Sequence, residues 1–431
     1  ALLNIYEGRF QEENYYVRGT PYSNFNECGY ENMTIPDTGF RLLALYRYWG
    51  IIEYYFPYRY AIDGDWNDIL REYIPAFIAA DGPLSYQLAL QQLIVSVGDS
   101  HAKILDEPDA LREFFGSFFT PIRLAYVENQ WVVDGFTHES ALLAGIKIGD
   151  VITAIEDRPI SERVEELYPY ISASTEGSLY ERLGRKLLRG NTGTVNLSVQ
   201  RGCDTLIITM SRMEEDDLDM DMADQPAAGD SSYTLLDDET GYVYVGLLTR
   251  GDVEGMMEEF QRTNALILDL RDYPKDFVIY AVADFILPFD TAFVRFTYPD
   301  YSNPGTFIWK EPVTAGGGDS SYEGKIAILI DEGSVSQAEF TAMAWRLAPQ
   351  VRVFGSPSDG ADGDVVFVKF PGGVRTRFSG IGVYYPDGSE TQRVGIQPDV
   401  FVRPTIEGLQ TGHNEVLEAA LEWLSSTESG E

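Results

Sequence analysis

The sequence has few of the residues that carry metal, redox and base chemistry. Its 431 residues include two cysteines and three histidines. Cys28 and Cys203 lie far apart and lack metal-ligand spacing, so we expect either two buried thiols or one disulfide. A mechanism that uses imidazole as the base must choose among His101, His138 and His413. We expect no bound metal and no cofactor.

Positive charge and long apolar runs are also scarce. There are 32 Lys and Arg residues against 68 Asp and Glu residues, a formal net charge of −36, which argues against a nucleic-acid partner because phosphates would be repelled. No apolar stretch approaches the ~18 residues that a membrane span requires. Ala1–Asn4 show no signal-peptide pattern, so the protein is either cytosolic or a mature chain whose targeting segment was removed.

The N-terminal quarter of the chain has a helical pattern after an irregular start. Apolar residues recur with helical spacing in three stretches: 42–52, 66–80 and 85–97. Pro75 predicts a kink or an earlier end of the second helix. We interpret residues 1–106 as an N-terminal region with a small helical domain, whose last loop, Gly98-Asp99-Ser100-His101, presents a histidine.

The remaining chain divides into a strand-rich module, an acidic linker and a core of alternating strands and helices. These occupy residues 107–212, 213–232 and 233–431. The linker is typical of a solvated loop, and its irregular carboxylate spacing disfavours a calcium site. Alternating strands and helices predict a largely parallel sheet. The fold class is therefore α/β multidomain.

The strand-rich module resembles a PDZ domain. A short helix, Gly145 and the run Ile148-Gly149-Asp150-Val151-Ile152 resemble the signature of that domain. PDZ domains capture an extended peptide by strand addition and hold its terminal carboxylate in a nest of backbone N–H groups. The resemblance implies that Phe115, Gly116, Ser117 and Phe118 form this carboxylate loop.

The stretch from Asp331 to Phe340 organises the C-terminal core. The apolar run Lys325–Ile330 predicts a buried strand, and the residues after Gln337 recur with helical spacing. Ser336 would lie at the N-terminus of that helix, where free N–H groups and the helix dipole favour negative charge. Taken locally, Ser336 is either a nucleophile or an N-cap residue.

Four motifs in this order resemble the C-terminal processing (tail-specific) protease family. They are Gly333–Glu339, Leu268–Arg271, the PDZ-like stretch and Gly395–Asp399. The resemblance covers about residues 38–424 and implies a ClpP/crotonase-like core with Ser336 as nucleophile. It places the backbone donors of the oxyanion hole at Gln337 and Asp272, where Asp272-Tyr273-Pro274 replaces the family's glycine-rich turn.

The usual catalytic lysine of this family is absent. Ala361 stands where the lysine would fall, and the nearest lysine, Lys369, lies outside the motif. A branch typified by tricorn protease uses serine, histidine and glutamate instead. The pair Ser100–His101 is similar to the histidine site of that branch, and neutral histidine can accept a serine proton near pH 7.

The group that orients His101 would come from the turn after residue 386. Glu390 supplies a carboxylate, and Gln392 occupies the position where the resemblance places the family's acidic residue; we expect Glu390. Two alternatives remain open. His101 could instead compensate a helix dipole, and Glu390 could be an exposed turn carboxylate.

These observations predict a serine endopeptidase that cuts unfolded or C-terminally exposed polypeptides. The alternative is a peptide-binding pseudo-peptidase that kept the fold and lost turnover. Because members of the resembled family are typically exported, we expect a periplasmic, cell-surface or secreted location. The expected partner is a polypeptide substrate.

Overall fold

The computed structural model describes residues 16–18, 23–219, 229, 231–318 and 322–426. The expectations for Ala1–Asn4 and for the middle of the acidic linker therefore lie outside the described residues.

Most of the predicted helices are present. The α-helices are α1 (Thr38–Tyr55), α2 (Trp66–Ala79), α3 (Pro83–Val95), α4 (Asp109–Phe115), α5 (Ser140–Ala144), α6 (Ile160–Leu167), α7 (Glu176–Leu187), α8 (Val253–Phe260), α9 (Ile279–Ile286), α10 (Gln337–Trp345), α11 (Ile406–Thr411) and α12 (Glu415–Ser425). Helix α2 continues through Pro75, so of the two predicted alternatives, a kink or an earlier end, the earlier end does not occur. Within the described ranges, no helix combines the length and apolar character needed to cross a bilayer.

The strands form separate sheets that follow the chain in blocks. They are β1 (Val17–Arg18), β2 (Asn24–Phe25), β3 (Lys103–Ile104), β4 (Ile122–Val127), β5 (Gln130–Phe136), β6 (Val151–Ile155), β7 (Arg158–Pro159), β8 (Thr194–Arg201), β9 (Asp204–Ser211), β10 (Tyr233–Leu235), β11 (Thr240–Tyr244), β12 (Ala265–Asp269), β13 (Thr291–Pro299), β14 (Phe307–Trp309), β15 (Val313–Ala315), β16 (Lys325–Ile330), β17 (Val351–Gly355), β18 (Val365–Lys369), β19 (Arg375–Ser379), β20 (Gly382–Tyr384) and β21 (Val400–Phe401).

The C-terminal core is built on a sheet with the order β10-β11-β12-β16-β17-β21. All neighbours in it are parallel except the antiparallel pair β10 and β11. The central strands β12 and β16 are almost entirely buried, which explains their continuous apolar runs. The chain leaves β16 and reaches α10 through residues 331–336, so this turn lies beyond the carboxyl ends of the strands. Ligands bind at this edge of many parallel sheets.

A three-stranded sheet, β18-β19-β3, connects the N-terminal helical region to the core. Strand β3 follows His101 and pairs antiparallel with β19, so that Lys103 lies opposite Arg377. This pairing joins residues about 270 positions apart in sequence and carries the 98–101 loop to the core. The sequence analysis did not predict this sheet, since its strands are short and pair across the whole chain.

The strand-rich module contains a sheet with the order β4-β5-β6-β8-β9, and β7 pairs with β6. Helix α7 packs against the edge strand β4. A Cβ atom on Gly184 of this helix would lie 2.4 Å from the carbonyl oxygen of Leu124, so only glycine permits this approach. Helix α11 packs on the same module, and Gln410 Nε2 donates to the Gly149 carbonyl (3.0 Å). The mixed α/β, multidomain architecture is thus confirmed.

Candidate active site

Ser336 has an unusual backbone conformation at the start of α10. Its φ is 56° and its ψ is −114°, in a region that non-glycine residues rarely adopt. Such a conformation costs roughly 1–3 kcal/mol and persists only where the surroundings hold it. The Ser336 N–H donates to the Ala361 carbonyl (2.9 Å), and the Phe340 N–H donates to the Ser336 carbonyl (2.9 Å). The turn is therefore held from both sides, with Ser336 half-buried.

The carboxylate of Glu339 binds the Ser336 turn to the 358–361 loop. Its Oε2 accepts the N–H groups of Ser336 (3.2 Å) and Ala361 (3.0 Å). Its Oε1 accepts the Ser358 hydroxyl (2.5 Å) and the Gly360 N–H (2.8 Å). Glu339 is fully buried, and this burial raises its pKa to about 7, with a smaller contribution from the nearby charge of Asp359. The sequence analysis used Glu339 only as a motif marker.

The backbone N–H groups of Gln337 and Asp272 have no acceptor within the described residues. The Gln337 side chain donates to the Asp276 carbonyl (2.8 Å), and the Asp272 carboxylate accepts the Tyr244 hydroxyl (2.8 Å). Ser334 donates to the carbonyl of Leu270 (2.8 Å), which joins the Ser336 turn to the end of β12. Both predicted oxyanion donors thus have free N–H groups at this edge of the sheet.

His101 is buried and is bonded through one ring nitrogen. Its Nδ1 lies 2.9 Å from the Oγ of Ser379, and that hydroxyl in turn donates to Oδ1 of Asp99 (3.0 Å). Because the Ser379 proton is directed to Asp99, Ser379 Oγ accepts the proton on Nδ1 of His101. Nε2 is then the unprotonated nitrogen, which can act as a base.

Asp99 is the carboxylate beside His101, and the sequence analysis missed it. It is fully buried and accepts the N–H groups of His101 (3.0 Å) and Ser379 (2.7 Å). The Nε2 of Gln392 also reaches its Oδ1 (3.4 Å). Asp99 stands two residues before His101 in the Gly98–His101 loop, so the sequence carries a local signal for it, whereas the predicted acid, Glu390, lies in the turn after residue 386.

The surroundings of His101 favour its neutral form. Burial lowers its pKa below the ordinary value of 6.5, the negative charge of Asp99 opposes this shift, and the positive charge of Arg377 adds to it. The imidazole is therefore largely unprotonated at neutral pH.

Glu390 lies away from this network, contrary to expectation. Its side chain is exposed, and its backbone forms an antiparallel bridge with Tyr384. It borders an open cavity of about 530 Å³ together with Arg346. The carboxylate beside His101 in the structure is that of Asp99, and of the two candidates in the turn after residue 386 only Gln392 reaches it.

Ser100 has a structural position. Its N–H donates to the Ser174 hydroxyl (2.9 Å), and its own hydroxyl accepts the Ser174 N–H (2.8 Å). This reciprocal pair attaches the His101 loop to the segment before α7.

Ser336 adjoins the 358–361 loop, and no hydrogen bond joins its side chain to that of His101 in the described structure. Ser336 contacts this loop through Ala361. The negative charge of Asp359, in the same loop, opposes the lowering of the His101 pKa by burial. Asp359 also forms an ion pair with Arg182 (2.6 Å). Ala361 is completely buried, whereas Lys369 is exposed at the end of β18.

The predicted carboxylate loop of the PDZ-like module uses its N–H groups internally. Gly116 donates to the Arg112 carbonyl (2.9 Å), and Phe118 donates to the Gly190 carbonyl (2.9 Å). The N–H of Ser117 donates to the Asn191 side chain (2.9 Å). Phe115 is buried in α4. The four residues therefore do not form an open nest for a carboxylate, because the end of α4 occupies the Gly116 donor, and Asn191 and Gly190 occupy those of Ser117 and Phe118.

The remaining residues with reactive side chains lie elsewhere. His138 bonds to Ser140 (2.9 Å), and His413 pairs with Glu418 (2.7 Å). Both cysteines are free and exposed, so neither the predicted burial nor a disulfide is present. Among the described residues, no group of three or more His, Cys, Asp or Glu side chains could hold a metal ion.

Comparison with known proteins gives one family match and several similar folds. Residues 239–402 match the profile of Peptidase family S41. No curated protein matches the chain. Mature CPAF in complex with lactacystin shares 13% identity, with 90% of this chain and 97% of that chain covered and a TM-score of 0.66. A candidate peptidase from Parabacteroides merdae shares 18% identity, with 91% and 98% covered and a TM-score of 0.58.

The photosystem II D1 C-terminal processing protease shares 16% identity, with 90% of this chain and 98% of that chain covered and a TM-score of 0.50. At these identities the likenesses describe the fold, and the profile match covers the segment that contains Ser336, Glu339 and Ser379. Residues 239–402 therefore form a segment that matches peptidase family S41, and the protein is a serine-type peptidase.

Proposed function

We propose that the protein is an endopeptidase in which Ser336 is the nucleophile and His101 is the general base. One observation carries the proposal: the hydrogen-bond chain from His101 Nδ1 through Ser379 to the buried Asp99 leaves Nε2 as the basic nitrogen. Serine hydroxyls need such a base, and a buried neutral imidazole supplies one near pH 7.

In this mechanism, the Oγ of Ser336 attacks the carbonyl carbon of the scissile peptide bond while His101 Nε2 accepts the hydroxyl proton. The oxyanion that forms accepts hydrogen bonds from the free N–H groups of Gln337 and Asp272, at the positive end of the α10 dipole. His101 then donates its proton to the departing amine, and an acyl-serine remains. Water attacks this ester with His101 again acting as the base, and Ser336 is regenerated.

The absence of a direct hydrogen bond between Ser336 and His101 is compatible with this role, because catalytic contacts are often long before substrate binds. The same observation supports a second candidate, a peptide-binding protein without turnover. The two differ in whether the side chains come together when a substrate occupies the cleft.

We further propose that the substrate is an unfolded or C-terminally exposed polypeptide, presented by the PDZ-like module. The support is the five-stranded sheet with α7 along the edge strand β4, the place where PDZ domains add a peptide strand. The occupied donors of residues 115–118 mean that this module would have to hold a peptide without that carboxylate nest.

Labelling by a serine-reactive fluorophosphonate tests the mechanism. We expect the wild-type protein to be labelled, Ser336→Ala to be unlabelled and His101→Ala to be labelled at a strongly reduced rate. Lys369→Ala is the matched control, since it removes an exposed cation outside the cleft. Labelling that persists in Ser336→Ala would overturn the assignment, and a folded wild-type protein that is never labelled would favour the pseudo-peptidase.

A further inference from the structure

Two cations lie directly opposite each other beside the His101 loop. Lys103 on β3 and Arg377 on β19 are paired residues in an antiparallel register. Like charges in such a position repel each other and destabilise the pairing. Carboxylates outnumber cations about two to one in this chain, so an acidic neighbour would be easy to provide.

Neither cation is paired with a carboxylate in the described part of the chain. Within the described residues, no ion pair or hydrogen bond involves the side chain of Lys103 or Arg377, and the Nε of Arg377 is buried without an acceptor. Cations nearby are paired in the ordinary way: Arg375 on the same strand pairs with Asp106, and Arg182 pairs with Asp359. The two unpaired cations are thus a local exception on an acidic protein.

Several groups of the candidate active site lie near this pair. Arg377 stands two residues before Ser379, and Lys103 stands two residues after His101. The positive charge of Arg377 adds to the lowering of the His101 pKa by burial. The pKa of Arg377 is in turn lowered by burial and raised by Asp99 and by Tyr273, which follows the oxyanion donor Asp272. Burial lowers the pKa of Lys103 to about 8, and the positive charge of Arg377 adds to this shift. Lys103 is still mostly protonated at pH 7.

We infer that Lys103 and Arg377 form a subsite for a substrate carboxylate on the leaving-group side of the scissile bond. This inference rests on the proposed function. A carboxylate would neutralise the repulsion between the two cations and provide the acceptor that the guanidinium lacks. We place the subsite on the leaving-group side because the imidazole that protonates the departing amine must face the leaving group. Lys103 and Arg377 flank His101, so they lie on the same side.

The carboxylate could come from two parts of a polypeptide. One is the free C-terminal α-carboxylate, which would make the enzyme remove short C-terminal segments. The other is an Asp or Glu side chain downstream of the cut. Both offer the same chemistry to the subsite.

Four peptides that share one sequence distinguish these sources. They carry a free or an amidated C-terminus, each with either Glu or Gln on the leaving-group side. We expect wild-type kcat/KM to be roughly tenfold or more higher for the peptides that carry the recognised carboxylate, as for a charge-assisted contact. The ratio of kcat/KM for peptides with this carboxylate to kcat/KM for those without it should fall towards one in Arg377→Gln and in Lys103→Gln. Added salt should also lower this ratio in the wild-type protein.

Arg375→Gln is the matched control, because it removes an equal charge from the same strand at a residue already paired with Asp106. This variant should retain the wild-type preference. Equal kcat/KM for all four wild-type peptides, or an unchanged preference in Arg377→Gln, would overturn the inference.

A binding experiment separates this inference from the proposed function. The four peptides, each with a fluorophore, are titrated into Ser336→Ala with and without Arg377→Gln, and anisotropy is followed. Tighter binding of a carboxylate peptide that depends on Arg377 supports the subsite even if the wild-type protein hydrolyses nothing. Binding that is independent of the carboxylate overturns it even if hydrolysis is observed.

Discussion

The Oγ of Ser379 lies 2.9 Å from Nδ1 of His101, although 278 residues separate the two in the chain. The antiparallel pairing of β3 with β19 brings them together. Because the Ser379 hydroxyl also donates to Asp99, it fixes the protonated nitrogen of the imidazole. The base of the proposed mechanism therefore depends on a contact between the N-terminal region and the S41 domain.

The first prediction concerns the nucleophile and the base. Ser336→Ala and His101→Ala should each lower kcat by roughly 10³-fold or more, because neither attack nor proton transfer has a substitute in the cleft. The double variant should lose little more than either single one, since the two residues act together. Steady-state kinetics on a fluorogenic peptide checks this, with circular dichroism to establish that the fold is intact.

Lys369→Ala is the control for this series. Its side chain is exposed at the end of β18, so its activity should stay within about twofold of the wild-type value. An active His101→Ala protein would remove the base from the mechanism.

The second prediction is a pH profile. The base must be neutral, so kcat/KM on an uncharged peptide should rise with pH through one ionisation, that of His101 in the free enzyme. Its midpoint should lie below 6.5, because burial and Arg377 lower the pKa of His101 more than Asp99 raises it; Asp359 and Arg182 act weakly in opposite directions.

Two variants should shift this midpoint in opposite directions. Arg377→Gln removes a positive charge that disfavours the imidazolium, so the midpoint should rise. Asp99→Asn removes a negative charge that favours it, so the midpoint should fall. Identical profiles in all three proteins would show that His101 is not the titrating group.

Some parts of this site could be predicted from sequence, and the reason is their local character. The apolar run of β16 followed by helical spacing places Ser336 at a helix start through neighbouring residues alone. The contact between Asp99 and Ser379 has no such signal, since 280 residues separate them and two short strands join them. The sequence likewise does not indicate that the N–H groups of Ser117 and Phe118 are occupied, because their acceptors, Asn191 and Gly190, are distant in sequence.

The third prediction separates the groups that could orient His101. Ser379→Ala should lower kcat by roughly 10²-fold with little change in KM, because the imidazole loses the acceptor that selects its tautomer. Ser379→Thr keeps the hydroxyl and should recover much of this loss. Glu390→Gln should be nearly silent, since that carboxylate is exposed beside Tyr60.

Gln392→Ala tests the neighbouring alternative. It removes the longest of the contacts to Asp99 (3.4 Å), so its effect should be smaller than that of Ser379→Ala. A large loss in Glu390→Gln combined with a silent Ser379→Ala would return the orienting role to the turn after residue 386.

The last prediction concerns stability and the buried carboxyl of Glu339. Its pKa is about 7 in the folded protein against an ordinary 4.5, so folding favours its protonated form. The contribution of this group to the free energy of unfolding is therefore fully present below pH 4.5 and is lost as pH rises to about 7. Its magnitude is on the order of 3 kcal/mol, from ~1.4 kcal/mol per unit of pKa difference.

Urea unfolding of the wild-type protein and Glu339→Gln at several pH values measures this effect. The variant should be less stable at every pH, because an amide cannot accept all four hydrogen bonds that Glu339 receives from Ser336, Ser358, Gly360 and Ala361. The deficit should shrink between pH 4.5 and 7, because over this range the wild-type carboxyl ionises in the unfolded chain while burial keeps it protonated in the folded protein. A deficit that stays constant or grows over this range would mean that Glu339 is ionised throughout, with its four donors outweighing its burial.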